Sequence, residues 1–215
     1  MENILVAGAH GTTGKKIINL LSESQYFKPI AMVRAEEQIP FFKSKNVETV
    51  LANLEHDVSP AFETPIDKVI FAAGSGGKKV IEVDQEGAKK LIDASKKNNI
   101  RKFVMLSSMG ADNPESVSEL QDYLKAKQNA DNHLKKSGLN YTIVRPGTLT
   151  NGELHNKIAL EEKLNKQGEI SRNDVAQTLV RTLNDDVANK ATFEIIKGDT
   201  LIADALDKVS RIEAP

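Results

Sequence analysis

Six short apolar segments, each followed by a more polar stretch, form the clearest hydrophobic pattern in the chain. The segments predict six strands, at Ile4–Ala7, Pro29–Arg34, Val47–Leu51, Asp67–Gly74, Lys102–Ser108 and Tyr141–Arg145. Apolar residues at helical spacing between them predict helices, most clearly over Lys79–Asn98 and Ser116–Lys136. This alternation over about residues 3–146 predicts an α/β fold built on a doubly wound parallel sheet with helices on both faces.

The pattern after Thr148 is less regular. His155–Leu164 fits either a strand or a short helix, and Ser171 followed by Asp174 is typical of a helix start. A late strand and a closing helix are predicted at Ala191–Ile196 and Leu201–Val209. Since no linker or repeat interrupts the chain, we expect residues 1–215 to form a single domain. Residues 148–215 are then its small C-terminal cap, on the substrate side of the sheet.

Composition narrows the classes of function. A length of 215 residues allows a substantial core, and a net charge of −1 gives no sign of a nucleic-acid surface. The absence of cysteine excludes disulfides, thiolate metal sites and a cysteine nucleophile. The four histidines are scattered without metal-ligand spacing, so no metal site is expected. No apolar run approaches the roughly 18 residues of a membrane span, and we expect a cytoplasmic protein. The sequence does not predict its oligomeric state.

Three glycines spaced three apart follow the first predicted strand and open the first helix. Gly8 lets the chain turn out of the strand, Gly11 removes a side chain where a pyrophosphate approaches, and Gly14 lets helix and strand pack closely. The helix N-terminus then directs free N–H groups at the phosphates. A turn that merely needs small residues is the alternative, but the strand–helix context favours a dinucleotide site. His10, Thr12 and Thr13 belong to the same candidate loop.

The end of the second predicted strand bears on the choice of dinucleotide. This position meets the adenosine ribose, where an acid binds a free 2′-hydroxyl and an arginine accommodates a 2′-phosphate. Arg34 therefore favours NADP. Glu36 and Glu37 follow closely and would favour NAD if the strand ended later, and Arg34 could also be an ordinary solvated charge.

Small and hydroxyl residues end the fourth and fifth predicted strands. Ala72, Ala73 and Gly74 would let a cofactor lie against the carboxyl end of the sheet. Ser107 and Ser108 place hydroxyl groups at the same edge.

Seven segments of the chain match one known family in order. They are Gly8-x-x-Gly11-x-x-Gly14, Val33-Arg34, Val83-Asp84-Gln85-Glu86-Gly87, Leu106-Ser107-Ser108-Met109-Gly110, Tyr123-x-x-x-Lys127, Tyr141-Thr142-Ile143-Val144-Arg145-Pro146-Gly147 and Ile170-Ser171-Arg172-Asn173-Asp174-Val175-Ala176. Together they resemble the atypical short-chain dehydrogenase/reductases, in particular the NAD(P)-binding, NmrA-like group often described as sugar epimerases. The resemblance covers nearly the whole chain and implies a Rossmann fold with a bound NAD(P).

The resemblance also implies a proton-transfer pair. Tyr123 would donate or accept the proton at a carbonyl or hydroxyl, and Lys127, one helical turn away, would assist it and hold the nicotinamide ribose. A phenol with an ordinary pKa near 10 needs such a cation to act as a base at neutral pH. Ser107 and Ser108 are the candidates for binding the substrate oxygen, and Ser108 matches the family's catalytic position better. A tyrosine and a lysine at this spacing also occur by chance in lysine-rich helices.

Other positions carry over less directly. Asp84 stands among the candidate catalytic residues where better-known members have asparagine, and an ionised acid cannot donate a hydrogen bond; a helix-surface charge is the alternative. Asn53-Leu54 replaces the Asp-Leu that relatives place at the adenine. Pro146-Gly147-Thr148 would meet the nicotinamide carboxamide. Arg172 and Asp174 are interpreted as structural, a helix start with a salt bridge.

Three functions are therefore compared. The leading one is an NADP-dependent oxidoreductase that acts on a small carbonyl or hydroxyl compound. An epimerase would use the same residues without net cofactor turnover, although a short C-terminal part leaves little room for a nucleotide sugar. A non-catalytic NADP(H)-sensing or partner-binding protein would keep the glycines and Arg34 alone. Convergence of Tyr123, Lys127 and Ser108 at the nicotinamide would favour an enzyme.

Overall fold

A computed structural model describes residues 1–211, so the last residues of the predicted 1–215 domain lie outside the described part. Its strands are β1 Glu2–Ala7, β2 Phe27–Val33, β3 Glu48–Leu51, β4 Lys68–Phe71, β5 Lys102–Leu106, β6 Tyr141–Pro146, β7 Thr148–Thr150, β8 Lys157–Glu161, β9 Glu169–Ser171, β10 Ala191–Lys197 and β11 Thr200–Leu201. Its α-helices are α1 Thr12–Ser22, α2 Ile39–Lys43, α3 Ala88–Lys97, α4 Gln121–Lys136, α5 Arg172–Arg181 and α6 Ile202–Arg211.

The main sheet of the described chain has nine strands in the order β11-β8-β10-β6-β5-β4-β1-β2-β3. The seven strands from β10 to β3 are parallel to their neighbours, and β8 runs antiparallel to both β10 and β11. The chain starts in the middle of the sheet and winds outward in both directions. The predicted doubly wound α/β fold is confirmed.

Two hydrophobic clusters lie on opposite faces of this sheet. On one face, Ile17 and Leu21 of α1 pack with Val175 and Leu179 of α5. On the other face, Leu91 of α3 and its neighbours pack beneath α4. Because helices cover both faces, the parallel strands are buried on both sides and their apolar runs are nearly continuous.

The predicted helix Lys79–Asn98 consists of two helix types. Val80–Gly87 forms a π-helix, with its wider turn, and leads directly into α3. The π-helix packs closely on the loop after β3: a Cβ at Gly87 would lie only 2.7 Å from the Leu54 Cβ. π-Helical turns are rare and occur frequently at functional sites. Helical periodicity predicts that a helix is present there, but it does not reveal the wider turn.

The C-terminal part mainly extends the sheet. Of the two alternatives for His155–Leu164, the strand is observed, as β8. The helix start at Ser171 is confirmed, because its Oγ accepts the Asp174 N–H at 3.0 Å. β10 joins the sheet beside β6, and β8 and β11 continue it. At the carboxyl edge, where a cap was expected, Leu149 of β7, which pairs with β9, and Arg172 at the start of α5 line the cleft.

Candidate cofactor and active site

A cleft of about 730 Å³ opens at the carboxyl edge of the sheet. Its walls come from the loops after β1 to β5, from the start of α4, and from β7 and α5. Most residues singled out in the sequence line it, namely Gly8, His10, Gly11, Thr12, Thr13, Arg34, Asn53, Leu54, Ala72, Ala73, Gly74, Asp84, Ser107, Tyr123 and Lys127. Five do not line it, namely Gly14, Ser108, Pro146, Gly147 and Thr148.

Close packing of the glycine loop leaves no space for a side chain at Gly8 or at Gly14. Gly8 has a φ of +81°, and a Cβ there would lie 2.6 Å from the backbone of Ala73. A Cβ at Gly14 would lie 2.1 Å from the Gly8 carbonyl oxygen, so Gly14 acts in packing behind the loop. The Gly11 N–H donates to the same oxygen at 2.9 Å and closes the turn. The backbone can therefore approach a ligand directly.

The first turn of α1 faces a ligand without competition from its own chain. Gly11 is the N-cap residue in extended conformation; no side chain caps the helix there, and its first turn contains no acid. The leading N–H groups and the positive end of the helix dipole are thus available to an anion. Together with the loop that only glycine fits, they suit the pyrophosphate of a dinucleotide.

Arg34 lies at the end of the cleft that is formed by the loops after β2 and β3. Its backbone N–H donates to the Gln38 Oε1 at 3.0 Å, and Gln38 also lines the cleft. Within residues 1–211, no carboxylate forms an ion pair with the Arg34 guanidinium. Glu36 and Glu37, which would favour NAD, begin a 3₁₀ turn and stay outside the lining.

Asn53 and Leu54 line the same end of the cleft. The Asn53 Oδ1 accepts the Glu55 N–H at 3.0 Å, which shapes the loop after β3. An amide oxygen has two lone pairs, so one remains for a ligand amine.

His10 packs edge-on against two phenylalanines, with ring centroids 5.5 Å from Phe41 and 6.1 Å from Phe42. Burial lowers the pKa of His10 below its ordinary value, and the charges of Lys15 and Arg34 lower it further. The ring is therefore uncharged at neutral pH in the protein alone.

Tyr123, Lys127 and Asp84 meet at the other end of the cleft. The Lys127 Nζ lies 3.1 Å from the Asp84 Oδ1 and 5.6 Å from the centre of the Tyr123 ring. Asp84 is fully buried, and its Oδ2 accepts the Ser75 N–H at 3.0 Å. Asp84 is thus not a helix-surface charge: it holds the lysine beside the tyrosine.

Lys127 keeps its charge although it is buried. Burial by itself lowers the pKa of this lysine, but its electrostatic interactions with Tyr123 and with the Asp84 carboxylate outweigh that effect and raise it above its ordinary value. An ammonium group therefore persists at neutral pH at this end of the cleft.

Ser107 rather than Ser108 faces the cleft. The Ser107 Oγ donates to the Asp131 Oδ2 at 2.9 Å, whereas the Ser108 Oγ donates to the Met109 carbonyl at 3.2 Å and lies outside the lining. β5 ends at Leu106, and the next two side chains point to different sides. The preference for Ser108 therefore needs correction to Ser107.

Asp131 and Arg145 support Ser107 from behind, a feature that the sequence reasoning missed. Arg145 donates to the Asp131 Oδ2 from Nε at 3.0 Å and from Nη2 at 2.9 Å. Burial raises the pKa of Asp131 above its ordinary value, and Arg145 opposes the rise. The position of Asp131, one helical turn after Lys127, was the available signal.

Pro146, Gly147 and Thr148 do not reach the cleft, and the expected carboxamide contact is corrected accordingly. Their backbone groups are already engaged: Gly147 donates to Ile195, Thr148 donates to Gly168, and the Pro146 carbonyl accepts from Met109, at 2.9 to 3.0 Å. A Cβ at Gly147 would lie 2.2 Å from the Gly168 carbonyl oxygen. This segment joins β6 to the β7–β9 pair, and these hydrogen bonds hold it outside the lining of the cleft.

Arg172 lines the cleft beside Leu149. The sequence reasoning also missed this position of Arg172. Its Nη1 donates to the Leu149 carbonyl at 3.1 Å and to the Asn151 Oδ1 at 3.0 Å. The expected salt bridge with Asp174 is not formed in residues 1–211, because the Asp174 carboxylate is occupied by other donors. The helix-start pattern already explained Arg172 in structural terms, so the sequence did not indicate that Arg172 lines the cleft.

Comparison with known proteins agrees with this geometry. A sequence model for a family described as NAD(P)H-binding matches residues 8–186. The chain belongs to this NAD(P)H-binding family. The resemblance to the NmrA-like short-chain dehydrogenase/reductases is thereby confirmed.

Relatives of this family member include proteins described as epimerases and as reductases. A Bacillus subtilis protein described as an uncharacterized sugar epimerase, YhfK, is 38% identical over 96% of this chain and 99% of its own length. A Bacillus halodurans structure, provisionally described as an NAD-dependent epimerase/dehydratase, is 37% identical with a TM-score of 0.90, over 97% of this chain and 100% of that one. The sanguinarine reductase of Eschscholzia californica is 31% identical over 64% of this chain and 52% of its own length.

Two further features of residues 1–211 concern membranes and metal ions. No helix there is long and apolar enough to cross a membrane. No group of three or more histidine and carboxylate side chains in that range could hold a metal ion.

Proposed function

We propose that the protein is an NADP(H)-preferring oxidoreductase that transfers hydride to or from a small carbonyl or hydroxyl compound. The observation that supports it is that Tyr123, Lys127 and Ser107 line the same cleft as the glycine loop. A cofactor that lies along the cleft from Arg34 to Lys127 would therefore bring its reactive end to these three side chains. A bound nicotinamide supplies or takes up the hydride.

The preference for NADP rests on the charge at the adenosine end. In the described chain, no carboxylate lies within ion-pair distance of the Arg34 guanidinium, and the nearby Glu55 pairs with Lys79. Glu36 and Glu37, the acids that would bind a 2′-hydroxyl, stay outside the lining. A guanidinium recognises a phosphate through charge-assisted hydrogen bonds. We therefore assign the 2′-phosphate to Arg34.

In the proposed mechanism, Tyr123 handles the proton at the substrate oxygen. Its hydroxyl donates during reduction of a carbonyl and accepts during oxidation of an alcohol. The Lys127 ammonium, 5.6 Å from the ring centre, stabilises negative charge on the phenol, and Asp84 fixes the ammonium in place. The Ser107 hydroxyl donates to Asp131, which leaves its oxygen to accept a hydrogen bond from a substrate hydroxyl at the same end of the cleft.

An epimerase is the second candidate, and the likeness to YhfK favours it. The same residues would then act twice, on opposite faces of the substrate, with no net change in the cofactor. The likeness to a plant reductase favours net reduction. Net loss of NADPH absorbance with a carbonyl compound separates the two candidates.

Replacement of Tyr123 by phenylalanine tests the proposal. We expect NADPH-dependent reduction of a panel of small aldehydes and ketones by the wild-type protein. Because the phenol transfers the proton, Tyr123→Phe should lower kcat at least about a hundredfold. Its Kd for NADPH should stay within about twofold, since the phenol hydroxyl is not needed to hold the cofactor.

The control is Tyr26→Phe, because Tyr26 is 75% exposed and does not line the cleft. Its turnover should match the wild-type value. Turnover by Tyr123→Phe at the wild-type rate would contradict the assigned role. Tight NADPH binding with no turnover of any compound, in the wild type, would favour a sensor.

A further inference from the structure

Arg172 is held rigidly on the wall of the cleft. It is the first residue of α5, and its Nη1 donates to both the Leu149 carbonyl and the Asn151 Oδ1. The two hydrogen bonds that Nη1 donates fix the plane of the guanidinium. Within residues 1–211, its Nε and Nη2 groups donate to no protein acceptor, so that side of the fork is available to a ligand.

No carboxylate in the described chain neutralises this charge. The nearest acid in sequence, Asp174, accepts the N–H groups of His155 and Asn156 on Oδ1, at 3.0 and 2.7 Å, and the Ser171 hydroxyl on Oδ2, at 2.6 Å. Its oxygens are directed to these donors and away from Arg172. By contrast, Arg101 and Arg145 both form ion pairs with carboxylates.

The surroundings of Arg172 are also suited to negative charge. α5 begins beside α1, and the Lys16 Nζ donates to the Asn173 Oδ1 at 2.8 Å across the two helices. The start of α1 is the part of the cleft where we place the pyrophosphate. A guanidinium fork near such a helix start is a common means of binding carboxylate and phosphate groups.

We infer that Arg172 binds an oxyanion of the ligand in this cleft through its Nε and Nη2 groups. The inference rests on the proposed function, because it concerns a ligand of the same cleft. The oxyanion has two possible sources with the same chemistry, a phosphate of the cofactor or a carboxylate of the substrate. Each source predicts a different defect on removal of the guanidinium.

The first measurement is the Kd for NADPH of the wild type, Arg172→Gln and Arg172→Lys. If the cofactor supplies the oxyanion, Arg172→Gln weakens NADPH binding about tenfold or more. Arg172→Lys should recover part of the loss, because a lysine restores the charge without the fork. Arg181→Gln is the matched control, since Arg181 lies at the other end of α5, is exposed and does not line the cleft.

The second measurement covers the substrate. Proteins saturated with NADP⁺ are titrated with aromatic aldehydes in pairs, each pair a carboxylate and its uncharged methyl ester. If the substrate supplies the oxyanion, the wild type binds the carboxylates about tenfold more tightly than the esters, and Arg172→Gln loses this preference.

The two arms give a decision in every case. A tenfold defect in either arm supports the inference and names the source of the oxyanion. It is overturned if Arg172→Gln keeps the wild-type Kd for NADPH and the two proteins do not differ in their preference for a carboxylate over its ester. Failure of the wild type to bind NADPH at all would instead overturn the proposed function, and the inference with it.

Discussion

At the carboxyl end of β5, two adjacent serines have different surroundings. Ser107 faces the cleft and is oriented by Asp131, whereas Ser108 bonds to the neighbouring Met109 carbonyl. The sequence predicts a hydroxyl at this edge, because the apolar run stops there. It cannot decide between neighbours, because the answer depends on where the strand ends and on an aspartate that arrives from α4.

The two serines can be separated by a pair of alanine variants. Ser107→Ala should lower kcat about tenfold or more, because it removes the serine hydroxyl at the proposed reaction site and one of the hydrogen bonds to Asp131. Ser108→Ala should change kcat less than about twofold, since its hydroxyl bonds only to nearby backbone. Steady-state kinetics with NADPH and a carbonyl substrate measure both effects. A larger defect in Ser108→Ala would contradict the assignment.

His10 provides a test by pH. Its pKa is lowered from 6.5 by burial and by the charges of Lys15 and Arg34. Phosphate groups of a bound cofactor favour the protonated ring and raise this pKa, so binding takes up a proton. NADPH affinity should therefore rise as pH falls through the interval between the lowered pKa and the raised one.

The reference for this experiment is His10→Gln, because the 2′-phosphate of NADPH itself titrates near pH 6. Kd for NADPH is measured for both proteins from about pH 7.5 to about pH 5. The wild type should show the steeper increase in affinity. Identical pH profiles would place His10 away from the phosphates.

At the scale of elements, the contact between β1 and α1 is the part that the sequence predicts most completely. Three glycines between an apolar run and an amphipathic helix define both the turn and the close packing. The π-helix Val80–Gly87 is the opposite case, since its sequence has ordinary helical periodicity. The wider turn is visible only in the structure, where Asp84 meets Lys127.

The packing role of Gly14 predicts a defect in stability. In Gly14→Ala, the new Cβ would lie 2.1 Å from the Gly8 carbonyl oxygen, so α1 has to shift away from β1. We expect a loss of at least about 2 kcal/mol in the free energy of unfolding, beyond the gain in helix propensity. Urea denaturation measures it.

The control is Gly152→Ala, where the nearest atom would be 3.6 Å away. Its stability should stay within about 0.5 kcal/mol of the wild-type value. Equal stability of the two variants would show that the helix and strand are not as closely packed as the structure indicates.

At the scale of the whole molecule, one edge of the sheet is covered by the chain and the other is open. At the amino edge, the buried Lys68 and Lys102 bind backbone carbonyls of the segment after α5, including those of Leu183 and Asn184. The carboxyl edge is open and forms the cleft. Parallel topology could be predicted from the alternating pattern, and it fixes which edge binds the ligand.

The C-terminal part was the least predictable from sequence. Apart from β10, which its apolar run predicts, its strands are short and partly exposed, so their pattern is weak. β8 joins the sheet through pairing with β10, which comes much later in the chain. Arg172 reaches the cleft only because this part folds back along β6 and α1. Long-range pairing of this kind leaves no local signal.

Cofactor preference tests the central claim most directly. Purified wild type and Arg34→Gln are titrated with NADPH and, separately, with NADH, while nicotinamide fluorescence is followed. The wild type should bind NADPH about tenfold more tightly than NADH or better, and Arg34→Gln should lose that preference by weakening NADPH alone. Equal affinity of the wild type for both, or no binding of either, would contradict the account.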